Sequence, residues 1–323
     1  MVPANIPDLS RFQTAYFALF IAGGHVGVPA LIILFTLSKQ VHRPASVINF
    51  CITWVIYSVA YSLLMYTGKH GDEYPPFGLC LAQAAMVHGA PPMAAVAGLG
   101  VVLQAYSTFQ LPWQHRQTVR LSKVPRWLLL LLTVAPPYLV FAGFAAATAV
   151  AGLRRREVVK AETRLYCSLE RGTGQLEDFS GPIFCTVLLA IIVALEVAMI
   201  IQYWHGWLRV KQVFPLANRK PSLSPWLRVS LFTLYSLATL LACISFLTPY
   251  ASPLPYMIQA ALPVVATLLF ASQSDIYHTA TSWMRRPRSE DDVPYTPGGG
   301  WSTTESTRGS TQLTGHLTLS SEA

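Results

Sequence analysis

Seven long apolar stretches constrain this chain more than any other feature: Thr14–Leu37, Ala45–Tyr66, Cys80–Phe109, Trp127–Ala151, Phe179–Trp207, Trp226–Thr248 and Leu254–Asp275. Of the 23 Lys and Arg residues, only Arg228, close to the start of the sixth stretch, falls inside them. A membrane imposes such a partition, because a bare cation at the bilayer centre costs a few kcal/mol or more and one at the interface costs little. Most of the stretches exceed the roughly 20 residues that cross about 30 Å of hydrocarbon as a helix. The expected fold is all-α, a bundle of seven transmembrane helices.

Composition agrees. Mean hydropathy is +0.42, and 12% of residues are charged, too few for an ordinary soluble domain of this size. The net charge of +8 does not mark a nucleic-acid partner, because the cations sit in short loops beside apolar spans, where they act as topology signals. Met1–Gln13 is polar, and the first apolar run is long enough to serve as an uncleaved anchor. The expected organisation is a short extracellular N-terminus over 1–13, the membrane domain over 14–277 and a cytoplasmic tail over 278–323.

The basic residues set the orientation. With the N-terminus outside, the inner loops and helix ends hold eleven cations (among them Arg116, Arg120, Lys211, Arg219 and Lys220) and no carboxylate. The outer side holds eight cations matched by eight carboxylates. The excess of Lys and Arg belongs in the cytosol, so the N-terminus is expected outside and the C-terminus inside. The run Arg154–Arg156 opposes this assignment. Tryptophans at 113, 127, 204, 207, 226 and 283 flank the inner interface, where indole rings settle. Pro44, Pro125 and Pro225 each stand where an inner-to-outer helix begins, a position at which a missing N–H costs nothing.

Five cysteines are present. Cys80 opens the third span on the outside and Cys167 lies in the long second outer loop, so an oxidising compartment lets them bridge; two free thiols are the alternative. Cys51 and Cys243 lie within spans as small apolar packing residues.

This layout resembles the G-protein-coupled receptors, and in particular the orphan heptahelical receptor-like proteins of mushroom-forming fungi. The stretches that carry the resemblance are Asn49-Phe-Cys-Ile-Thr-Trp-Val-Ile-Tyr-Ser, Cys80-Leu-Ala-Gln-Ala-Ala, His88-Gly-Ala-Pro-Pro-Met, Leu262-Pro-Val-Val and Phe270-Ala-Ser-Gln-Ser-Asp. It covers residues 10–285. It implies a plasma-membrane receptor that takes an extracellular ligand and signals to a heterotrimeric G protein, with Arg116, Arg120, Lys211, Arg219 and Lys220 facing that partner. The rhodopsin-like switches are missing. Gln104-Ala-Tyr-Ser-Thr-Phe stands where an acid–Arg pair belongs, and span seven has no Asn-Pro-x-x-Tyr.

Ionisable groups within spans are the first places to look for function: His25, His88 and Glu196, with His205 and Asp275 near the inner ends. His88 lies about two turns below Cys80, and Pro91 and Pro92 after it are expected to break or kink the helix and free carbonyls toward a cavity. A carboxyl at Glu196 is expected to be neutral or paired, with His25 or His88 as partners. Tyr57 and Tyr61 share a helix face at i, i+4 spacing; lining a pocket and packing between helices are both open to them. The ligand-binding candidates are Tyr61, Gln83, His88, Glu196, Tyr256 and Gln259. Gly23, Gly24 and Gly27 in span one permit close helix approach.

From His278 onward, 16 of 46 residues are Ser or Thr, the composition of a disordered tail. Arg286-Pro-Arg288-Ser289 suits a basic-directed kinase, which makes Ser289 a regulatory phosphosite candidate. No cofactor and no metal site is expected. A retinal protein is excluded because the last span has no Lys for a Schiff base, and two deep histidines with one glutamate are too scattered for a zinc hydrolase. A seven-span small-solute transporter is the alternative, although spans one to three do not resemble spans five to seven as a repeat would require.

Overall fold

The computed structural model describes residues 9–38, 43–69, 75–110, 125–161, 163–169, 176–213, 223–247 and 253–272. By its contacts the chain divides into Met1–Met284, which holds every element below, and Arg285–Ala323, which lies outside the described residues. The elements are α1 (Ser10–Leu37), α2 (Ala45–Tyr66), α3 (Phe77–Gln110), α4 (Arg126–Arg154), β1 (Val159–Lys160), β2 (Ser168–Leu169), α5 (Leu176–Val213), α6 (Leu223–Leu247) and α7 (Leu254–Ala271). Among the described residues, six helices are long and apolar enough to cross a membrane, and α6 contains a shorter apolar stretch, Ser230–Phe246. This is the construction of an integral membrane protein, because in hydrocarbon each backbone polar group must find its partner within the segment.

Local sequence sets the helix ends. Pro44 and Pro125 immediately precede α2 and α4 in extended backbone, where a residue without an N–H belongs. At the far end of α2, Gly68 takes φ +67°, its N–H donates to Met65 O at 3.1 Å, and the Lys69 N–H donates to Leu64 O at 3.0 Å. That pair of bonds is a Schellman stop, and only glycine adopts its backbone freely.

The prolines inside spans do not break them. α3 runs without interruption through Pro91 and Pro92, so of the break or kink expected there the break does not occur. Pro91 leaves the Val87 carbonyl without its usual intrahelical donor. The Tyr61 hydroxyl on α2 donates to that carbonyl at 3.4 Å, so the freed acceptor is used between helices.

The helices close into a ring. α3 packs on α2, α4 and α5; α6 packs on α5 and α7; α7 returns to α1; and α1 lies on α2. The seam of α1 is built from glycine. A Cβ at Gly23 would meet the Pro263 carbonyl carbon at 2.6 Å and Val264 Cα at 2.8 Å, one at Gly24 would run into the Ser58 side chain, and one at Gly27 would meet Thr267 Cγ2 at 2.6 Å. All three glycines fall in Ile21–Gly27, a π-helical segment of α1. Small residues in this register let backbones touch.

Polarity is arranged as lipid demands. Large apolar side chains such as Leu132, Leu139, Leu234 and Leu268 point outward, whereas Asn49, Gln83, Glu196, Ser236 and Gln259 are buried. The buried groups bond between helices: Tyr138 Oη donates to Asn49 Oδ1 at 2.8 Å, and Ser46 Oγ donates to Gln104 Oε1. α4 is the most peripheral span, with 6% of its apolar window buried against 61% for α2.

Candidate functional site

The segment between α4 and α5 folds back over one end of the bundle. β1 and β2 pair antiparallel, Val159 opposite Leu169 and Lys160 opposite Ser168. Between them Ala161, Thr163, Leu165, Tyr166 and Cys167 are all buried, and Arg164 turns the chain in the left-handed region at φ 55°. The sequence gives this loop as densely charged. Its described tip is instead an apolar plug.

Three consecutive residues fasten the plug. Cys167 forms the disulfide with Cys80 at the start of α3, with a Cα–Cα distance of 5.2 Å, which is the pairing expected from the sequence. Tyr166 stacks near Tyr16 (6.4 Å between centroids), meets Tyr61 edge-on at 5.0 Å and lies 6.4 Å from Tyr256. Ser168 Oγ lies 3.3 Å from His88 Nε2. Gln83 completes the attachment: its Oε1 accepts from the Cys167 N–H at 2.9 Å, and its Nε2 donates to Ala60 O at 3.2 Å.

Beneath the plug lies a cavity of about 150 Å³ walled by α2, α3, α5, α6 and α7. The α2 wall is aromatic: Phe50, Trp54, Tyr57 and Tyr61 line it in a 4-3-4 spacing, which places all four on one helical face. Their rings touch in sequence, with centroids 5.9, 4.9 and 4.7 Å apart. α6 continues the wall with Phe232 and Tyr235, and Tyr235 stands 6.3 Å from Trp54. α3 contributes Val87, His88, Pro91 and Pro92 and, further along, the small residues Ala94, Ala95 and Gly98.

The structure sorts the six ligand-binding candidates. Tyr61, His88 and Gln259 line the cavity, and Gln259 Nε2 donates to the Tyr61 hydroxyl. Gln83 and Tyr256 do not line it. Gln83 is spent on the plug, and Tyr256 packs edge-on against Phe246 at 5.2 Å. Glu196 also stands behind the wall. Its Oε1 accepts from Ser236 Oγ at 3.0 Å, with Thr233 as a second hydrogen-bonding partner. It does not pair with His25 or His88. His25 instead bonds the Phe20 carbonyl at 2.9 Å and the Tyr66 hydroxyl.

Several site residues were not singled out in the sequence. Trp54 and Phe50 could have been found from the aromatic 4-3-4 stripe. Tyr235 carries no such local mark. Neither do Cys185 on α5 and Cys243 on α6, which both line the cavity. Among the described residues, no group of three or more His, Cys, Asp or Glu could hold a metal ion. Arg116, Arg120, Arg219, Lys220, Asp275 and Ser289 lie outside the described residues, as does the side chain of Lys211. No protein-family model matches the sequence, and neither does any curated protein.

Proposed function

We propose that this chain is a seven-span receptor of the G-protein-coupled type in the plasma membrane, with its N-terminus and hairpin outside and its C-terminus in the cytosol. A ligand from outside occupies the cavity, and the cationic loops at the opposite end engage a heterotrimeric G protein. The observation that carries this reading is the cavity itself, set among α2, α3, α5, α6 and α7 beneath a hairpin held by the Cys80–Cys167 disulfide. A binding site in contact with five helices can bias their arrangement, because a ligand shifts an equilibrium by its differential affinity for the two states. The resemblance of residues 10–285 to fungal heptahelical receptors supports the same reading, as does the charge asymmetry of eleven inner cations against eight outer ones.

The test is nucleotide exchange. Purified protein in lipid nanodiscs, mixed with heterotrimeric G proteins, is expected to raise exchange above that of the G protein alone. Neutralising Arg116, Arg120, Lys211, Arg219 and Lys220 together is expected to abolish the increase. A small-solute transporter is the competing reading; solute flux into liposomes without any exchange activity would establish it in place of the receptor.

A further inference from the structure

We infer that the cavity takes an uncharged, single-ring aromatic ligand. This rests on reading the cavity as the ligand site and names the chemistry it selects.

Charge is decided by the lining. None of the residues that wall the cavity is Lys, Arg, Asp or Glu. Glu196, the nearby buried acid, does not line the cavity and accepts from Ser236 at its Oε1, and His88 is engaged with Ser168. An ion entering here would lose its hydration without meeting a counter-ion, and that cost is large.

Shape follows from the lining. Rings from α2 and α6 stand in it, and offset stacking on aromatic faces favours another ring. A volume of about 150 Å³ is close to that of cavities known to accept one benzene-sized molecule.

Benzamide, benzoate and benzamidinium share size and planarity and differ in charge, so they make the probe series. Binding is measured at neutral pH by calorimetry on the full chain in nanodiscs without G protein, and failure of nucleotide exchange therefore leaves this result standing. Benzamide is expected to bind, with both ions at least about tenfold weaker. Trp54→Ala, which removes a ring from the cavity wall, is expected to weaken benzamide several-fold. Gly98→Leu, which adds bulk to the cavity wall, is expected to eliminate binding, with thermal unfolding confirming that each variant is folded. The inference is overturned if either ion binds as tightly as benzamide, if benzamide does not bind the folded wild-type chain, or if a folded Gly98→Leu variant binds it unchanged.

Discussion

At the scale of single residues, two kinds of position organise the molecule: those that must be small and those that must reach. Gly23 is of the first kind. A side chain there meets the backbone of Pro263 and Val264, which cannot turn aside as a flexible side chain would. Overpacking of well-filled sites costs about 1–3 kcal/mol. Gly23→Leu is therefore expected to lower the thermal unfolding temperature in detergent. Gly143→Leu, at a position with nothing within 4 Å, is expected to cause no loss. Equal behaviour of the two variants would remove the glycine seam from the account. Tyr61 is of the second kind. It takes the carbonyl that Pro91 frees and receives the Gln259 amide, so a single hydroxyl ties α2 to α3 and α7 on the cavity wall.

At the scale of elements, the hairpin is the part whose attachment can be cut cleanly. The disulfide spans 87 residues, and by the chain-entropy estimate closing so long a loop is worth roughly 4–5 kcal/mol. Cys167→Ser, Cys80→Ser and the double variant are each expected to lower stability by similar amounts, because either single change already opens the loop. Additive losses, read by thermal unfolding in nanodiscs, would mean that each cysteine acts separately. The elements also show how far the sequence could be read. Six spans were legible because lipid tolerates so few charges that apolar runs stand out, and the Cys80–Cys167 bridge was legible because both residues were read as lying on the same side. The unbroken course of α3 through Pro91 and Pro92 was not, because the hydroxyl that takes up the freed Val87 carbonyl is supplied by a different helix. The apolar tip of the hairpin was hidden by flanking charges such as Arg154–Arg156. Gln83 read as a ligand residue because it is a polar side chain in a span; only the fold brings the Cys167 N–H and the Ala60 carbonyl to its amide.

At the scale of the whole molecule, the proposed orientation is open to direct measurement. An epitope placed after Ala323 is expected to be reached by antibody only after cells are permeabilised, and one placed before Met1 in intact cells. The reverse result would invert the map and withdraw the cationic loops from any cytosolic partner. The seams of the bundle also differ in kind. At Gly23 on α1 the neighbour is the backbone of Pro263 and Val264. Across α3, α5 and α6 the contacts are made by the side chains of Val102, Leu189, Ile192, Met199 and Leu240. Added bulk on the first seam has to displace main chain, whereas on the second it asks only for repacking.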